Sequence, residues 1–443
     1  MRVLIMTLGT RGDVQPFVAL AQALQSAGDS PVVCAPQRYQ EFVTARGVSF
    51  VGVDDGPLRL LDSPAEAGRL IRGGLRTRLA QMRQMPGMFT QLLEDCWRVA
   101  TTGAGAGADV VVHNGQILAG QHVAEALRVP AVLGLPIPLF VPTRAFSWPG
   151  QAVPNWWPTW WNRTTYAGMR MPAVMFGRVI DRWRRDTLGL RARPSRHDPT
   201  RQPDGTPATV LHAYSPSVLP RPTDWPTSSQ VTGYWFLTPS DGLPEEVERF
   251  LSEGSPPVFA GFGSMTGLQP HESSEVVVQA AAATGLRLIM DCGWGGLDAA
   301  AATAAADRFG VELCLVHDLD YQLLFPQVAA VVHHGGAGTT GTAFAAGRPQ
   351  VICPFVADQP FWARLAQARG VASEPLPQQG LTTIGLTERL RLALSWPTRQ
   401  AATLLGARVA AEQGLTQAVH VIHQTIAERR SRPPGDPTSK SGA

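Results

Sequence analysis

The chain has 443 residues, 44% of them hydrophobic, and a formal net charge of +3. Such a length gives two or three domains with ample cores, and so small a charge excludes a surface built for nucleic acid. Cys34, Cys96, Cys292, Cys314 and Cys353 lie scattered, mostly within apolar runs and without CxxC spacing, so neither a disulfide framework nor a zinc site is expected.

In chain order, residues 2–7 read as a buried strand, too short for a signal-peptide core, and no run of about 18 uncharged apolar residues occurs. A cytoplasmic chain without a membrane span is expected. The loop Gly9-Thr10-Arg11-Gly12-Asp13 leads into a helical stretch over 14–27. Asp13 thus stands at the carboxyl end of a strand, where open α/β sheets bind ligands, and where an acid also suits a helix cap. Apolar runs at 31–35, 109–113 and 131–135 alternate with helical stretches such as 120–127, which predicts a parallel sheet with helices on both faces. His113 ends one of these runs. Met82, Met85, Met88 and Phe89 suggest a wide apolar pocket, and core packing explains each of them equally well.

Next come Trp148, Trp156, Trp157, Trp160, Trp161 and Trp183, interleaved with Arg163, Arg170, Arg178, Arg182, Arg184 and Arg185. Two readings stand: aromatic packing beneath a mobile helical hairpin, or an amphipathic face touching a membrane or a lipophilic substrate. A Pro-rich stretch at 215–226 marks a crossing. The expected division is a first domain over 1–215, a linker over 216–240 and a second domain over 241–397. Helices over 398–430 follow, the last a candidate to pack back on the first domain, and then a disordered polar tail over 431–443.

The second half repeats the alternation, with strand-like runs at 258–261, 287–291, 311–316, 328–332 and 350–354. The run at 328–332 meets His333, His334, Gly335, Gly336, Ala337, Gly338, Thr339 and Thr340 just before a helical stretch of small residues. Glycines let backbone N–H groups approach an anion closely, the threonines add hydroxyl donors, and a helix start favours negative charge. About twenty residues on, Asp358 and Gln359 follow the 350–354 run. A carboxylate beside a carboxamide offers acceptors and donors to vicinal hydroxyls, and Asp358 also suits a helix N-cap. Asp318-Leu319-Asp320 has the DxD spacing that elsewhere binds divalent ions, but its place between a strand and a short helix favours capping.

The stretch HHGGAGTT…PFVADQPFWA resembles the donor-binding signature of inverting, nucleotide-sugar-dependent glycosyltransferases of the two-domain GT-B type, closest in motif to bacterial natural-product and sterol glucosyltransferases. The opening MTLGTRGDVQPFVALAQAL and the run Gly261-Phe262-Gly263-Ser264 extend the resemblance to both halves, whereas residues 60–210 carry no family motif. It implies an α/β fold of two Rossmann-like domains facing across a cleft. It also implies that Ser264, His334 and the backbone of Gly336, Ala337, Gly338 and Thr339 hold a diphosphate. Val316 and His317 would border the nucleotide base, Asp358 and Gln359 the sugar, and Gly12 the donor from across the cleft.

In this chemistry a base takes the acceptor proton, the oxygen attacks the anomeric carbon, and the nucleotide diphosphate leaves from the opposite face. Asp13 is the expected base, in a slot where plant relatives carry histidine, and His113 is the second candidate. No cofactor or metal is implied; the partners are a UDP-sugar or dTDP-sugar and a hydrophobic acceptor such as a polyketide, terpenoid, flavonoid or sterol. Thr342 stands where plant relatives carry a ribose-binding glutamate, which leaves the donor base open, with UDP-glucose favoured. Acceptor, exact sugar and oligomeric state stay open too. A dTDP-deoxysugar transferase of antibiotic biosynthesis and a catalytically silent partner protein remain as alternatives. A dinucleotide oxidoreductase is disfavoured, because the first turn lacks GxGxxG and Val33-Cys34-Ala35 lacks the acid that such enzymes need.

Overall fold

The computed structural model describes residues 1–55, 75–151, 153–154, 156–193, 197–239, 242–263, 269–293 and 296–431, with the backbone alone for 75–85. Its first sheet holds β1 (Arg2–Met6), β2 (Ser30–Pro36), β3 (Ser49–Val53), β4 (Val110–Asn114), β5 (Ala131–Leu135), β6 (Thr209–His212) and β7 (Ser229–Val231). The order is β3-β2-β1-β4-β5-β6-β7 and every pairing is parallel. Runs such as Val110-Val111-Val112 suit strands buried on both faces. Val3, Ile5, Val110 and Val112 pack with Val14 and Val18 of the helix Arg11–Ser26, while Leu4, Met6 and Val111 pack with Phe89, Leu93 and Cys96 of the helix Leu75–Thr101. Strand order reverses between β1 and β4, so the crevice that binds ligands in such sheets lies beyond their carboxyl ends.

The second sheet holds β8 (Val258–Gly261), β9 (Leu288–Asp291), β10 (Leu313–Val316), β11 (Ala330–His333) and β12 (Gln350–Ile352), in the order β10-β9-β8-β11-β12, again all parallel. Its reversal falls between β8 and β11, whose last residues, Gly261 and His333, are register partners. The two glycine-bearing loops of the second half therefore leave the sheet side by side. The fold is the expected pair of Rossmann-like domains. They share an apolar core, in which Leu133, Tyr214 and Trp225 from the first meet Phe344, Phe361 and Trp362 from the second.

Two regions join the halves of the chain. The segment expected as linker supplies β7, a three-residue strand of SQV that completes the first sheet. The terminal helical region is two helices, Trp396–Ala410 and Gly414–Ser431, and the second lies on the first domain. There Ala418, Ile422 and Ile426 join the core of Val14 and Val18, and His423 and Arg430 meet Asp29 and Asp109 at 2.7 and 2.8 Å. The chain thus crosses between domains twice, and the crossings touch at two glycines. Gly233 has φ +105°, and a Cβ on Gly414 would lie 2.4 Å from the Tyr234 carbonyl oxygen. Residues 432–443, most of the expected tail, lie outside the described residues. Among the described residues no helix is long and apolar enough to cross a membrane.

Candidate active site

The candidate catalytic side is built on β1 and β4. Gly9, with φ +133°, turns the chain after β1, and a Cβ there would stand 2.3 Å from Asp13 Oδ2. Thr10 is the N-cap of the following helix, and Asp13 is its third residue, not its cap. Asp13 Oδ2 accepts from Thr10 N at 2.8 Å and from Thr10 Oγ1 at 3.1 Å, closing a capping box. Gln116 Nε2, just past β4, donates to Oδ1 at 2.8 Å. Burial raises the Asp13 pKa above the usual carboxylate value, with the Thr10 and Gln116 hydrogen bonds pulling the other way. Asn114 ties the two loops together: Nδ2 donates to the Leu8 carbonyl at 2.7 Å, and Oδ1 accepts from Gln116 N and Ile117 N. Sequence reasoning missed Gln116 and Asn114. Their signal was position alone, at the end of the strand beside β1.

His113 is not in this cleft. The alternation along β4 turns it under Gly120, where a Cβ would lie 2.4 Å from the ring, and leaves it 2% exposed. Its Nδ1 meets the Asn114 carbonyl at 3.0 Å, and burial lowers its pKa to about 4. Asp13 is left as the candidate base.

In the second half, His333 points into the core, bonded through Nε2 to Gln350 Oε1 at 2.9 Å, while its Nδ1 accepts from Gly335 N at 3.1 Å. His334 points the other way. Its ring fits between two glycine turns: a Cβ on Gly263 would stand 2.8 Å from Cε1, and one on Gly336 would stand 2.5 Å from Nε2. Its Nδ1 is buried and closes no side-chain hydrogen bond among the described residues; burial lowers the ring's pKa to about 4, and the Gly261 backbone acts in the opposite direction. Gly336 is the N-cap of the helix Ala337–Ala345, which has no side-chain cap and no acid in its first turn. The N–H groups of Ala337, Gly338 and Thr339 have no partner within the helix. Thr340, expected to donate outward, instead turns its hydroxyl back to the Gly336 carbonyl at 2.8 Å and is fully buried.

Asp358 and Gln359 follow β12 through Ala357, a non-glycine residue with φ +56°. Asp358 is the N-cap residue of the helix Gln359–Ala368, but its side chain accepts from Trp362 Nε1 at 2.8 Å and makes no cap hydrogen bond. Burial raises its pKa to about 6, and the charge of Asp13 in the other domain adds to that rise. Asp358 therefore senses the Asp13 carboxylate across the cleft. Gln359 is 3% exposed, and its Oε1 accepts from Phe355 N at 2.7 Å and Val356 N at 3.1 Å. Its carbonyl holds the turn that presents Asp358.

The remaining positions divide. Val316 is buried in the core, its carbonyl accepting from Cys292 N at 3.3 Å, while His317 is exposed. Gly12 is exposed beside Asp13. Ser264, with the side chains of Met82 and Met85, lies outside the described residues. Asp320 caps the helix Tyr321–Leu324, accepting from Gln322 N at 2.9 Å, and Asp318 forms an ion pair with Arg11 of the first domain. No group of three or more His, Cys, Asp or Glu is placed to hold a metal among the described residues. Phe89 stacks on Phe176 at 4.3 Å inside the first domain's core. Nearer the cleft, Phe140 has φ +62° and covers Gly115, where a Cβ would lie 2.2 Å from its ring, and Phe146 packs on Phe361 at 5.6 Å. These two phenylalanines, which the sequence did not single out, both pack against the shared apolar core, Phe140 over the glycine that precedes Gln116.

Residues 3–141 match the glycosyltransferase family 28 N-terminal domain, and residues 302–422 match the erythromycin biosynthesis protein CIII-like C-terminal domain. The O-mycaminosyltylonolide 6-deoxyallosyltransferase of Streptomyces fradiae is 34% identical, over 96% of this chain and 97% of that protein. A sterol 3-beta-glucosyltransferase of Arabidopsis thaliana is 32% identical, over 96% of this chain and 68% of that protein. The chain spans about a quarter of the length of the fungal sterol 3-beta-glucosyltransferases that it also matches, 27% for that of Cryptococcus neoformans. The solved calicheamicin glycosyltransferase CalG4 has the same fold, with a TM-score of 0.67 over 98% of this chain and 99% of that one at 17% identity.

Proposed function

The chain belongs to the glycosyltransferase family of the sterol glucosyltransferases and the antibiotic deoxysugar transferases, and on that premise we propose that it transfers a hexose from a nucleotide diphosphate sugar to a hydroxyl of a lipophilic small molecule. The observation that carries the reading is the His334 ring, held between the Gly263 and Gly336 turns beside an uncapped helix start. A lowered pKa keeps that ring neutral near pH 7, so it donates one hydrogen bond without bringing a charge. Backbone N–H groups at the helix start supply further donors to a leaving diphosphate.

Asp13 serves as base in this scheme. Its raised pKa makes it a stronger proton acceptor than a solvated carboxylate, and Thr10 and Gln116 fix its direction. Asp358 accepts from sugar hydroxyls, with Gln359 holding its turn. Phe140 and Phe146 offer the acceptor an apolar wall. The donor we assign is UDP-glucose, supported by the motif likeness to sterol glucosyltransferases. The second reading, a dTDP-deoxysugar, is favoured by the 34% identity to a deoxyallosyltransferase.

Calorimetric titration with UDP-glucose and dTDP-glucose, followed by turnover on a panel of hydrophobic alcohols, tests both. We expect the His334→Ala variant to keep its fold and lose at least about tenfold in turnover, since losing one preorganised donor typically costs about 10²–10³-fold. Near-normal turnover at saturating donor would sink the assignment of His334, and binding of neither nucleotide sugar would sink the enzyme.

A further inference from the structure

Neither reading of the tryptophan and arginine segment fits all of it. Trp183 is 3% exposed and belongs to the core, whereas Trp156, Trp160 and Trp161 are 73%, 61% and 37% exposed. Trp157 lies between them, its ring 6.3 Å from that of Trp156 and 5.2 Å from that of Trp161, so the rings form one cluster. A helical run then continues to Met171–Met175, where Met171, Val174 and Met175, at i, i+3 and i+4, are 63%, 70% and 56% exposed. An exposed apolar run of this size marks an interaction surface.

Its charge says what it meets. Arg163, Arg170, Arg178, Arg182 and Arg185 are all exposed, and the one acidic residue from position 151 to 185 is Asp181, half-buried and facing Arg193 N and His197. Among the described residues Arg170 forms an ion pair with Asp198 at 3.7 Å, and the charge of Arg163 also acts on Asp224. Tryptophan favours the boundary between headgroups and acyl chains, and arginine matches phosphate in a two-pronged geometry. We propose that residues 156–185 form a docking surface for an anionic lipid bilayer. The surface is tied to the cleft: Asn162 Nδ2 donates to the Arg144 carbonyl at 2.9 Å, and Trp148 N donates to Thr165 Oγ1 at 2.8 Å. Those bonds anchor it to the stretch bearing Phe140 and Phe146. Where the proposed lipophilic acceptor holds, docking brings the cleft to the phase in which such an acceptor dissolves.

The experiment is co-sedimentation with vesicles of phosphatidylcholine alone and of phosphatidylcholine with phosphatidylglycerol, which is read without turnover and so stands apart from the proposed activity. The full chain should sediment with the anionic vesicles, lose binding at high salt and ignore the neutral ones. Each arginine facing an anionic surface contributes about fivefold to partitioning, so Arg163→Ser with Arg178→Ser should lower it about 25-fold. Removing two large apolar side chains, as in Trp156→Ser with Trp160→Ser, should lower it by about tenfold or more while nucleotide-sugar binding is kept. Three results each overturn the proposal: no sedimentation with either vesicle, partitioning indifferent to the tryptophan pair, or a lipid-free dimer that the tryptophan variant dissociates, which would make the patch an interface between two copies.

Discussion

The loops after β1 and β11 share one local plan, a strand, a glycine turn and a helix start, yet they are filled differently. After β1, Thr10 and Asp13 close a capping box, so the helix start holds the protein's own carboxylate. After β11, the helix Ala337–Ala345 has no acid in its first turn and no side-chain cap. One helix start is filled from within the chain and fixes the proposed base; the other is open and suits an anion from outside. Under the proposed function the same unit would serve opposite ends of one reaction, and the charge of Asp13 adds to the raised pKa of Asp358.

The strongest way to break this contrast is to empty the first loop. Asp13→Asn keeps the side chain's size but removes the base, and kcat should fall by about 10²–10⁴-fold. The weakened capping box should cost only about 1 kcal/mol of stability, read by denaturant unfolding. A kcat within a few-fold of the wild type would remove Asp13 from the chemistry. The reverse change fills the second loop. Thr339 occupies the third helical position, as Asp13 does, and Thr339→Asp should raise the Kd for the nucleotide sugar by about tenfold through repulsion of the diphosphate. Stability should hold or rise slightly, since an acid in the first turn favours a helix by about 0.3–1 kcal/mol. Unchanged donor affinity would show that the diphosphate lies elsewhere.

Acid titration sharpens the comparison most gently. His334 has a folded pKa of about 4, below its unfolded value of 6.5, so between these values the unfolded chain binds the extra proton and stability falls as pH falls. The slope is up to about 1.4 kcal/mol per pH unit, and His334→Gln should flatten the pH dependence of unfolding by that amount. Asp13 acts with the opposite sign. Its raised pKa makes the folded form bind more protons and favours folding toward acid. An equal slope in His334→Gln and wild type would show that His334 is solvated.

Much of this was legible before the fold was known, because it depended on local pattern. β-branched runs marked the strands of both sheets, and glycines after strands marked both loops. What escaped depended on contacts between distant positions. SQV at 229–231 is too short and too polar to read as a strand until β6 lies beside it. His113 looked like a cleft residue, and only the position of Gly120 shows that it is covered. Gln359 was expected at the sugar, and the hold of its carbonyl on the Phe355 and Val356 amides shows only in the fold. The Arg11–Asp318 pair joins residues 307 positions apart, a partnership that no motif announces.

The touching glycines at 233 and 414 have a consequence for anyone recombining this chain. The second domain begins and ends at one point against the first, and the final helix belongs to the first domain's core. A chimera cut once, between the domains, would therefore receive a foreign final helix against Val14 and Val18. The exchangeable cassette is the insert between the two glycines, moved as a closed loop, with residues 414–431 left on the host.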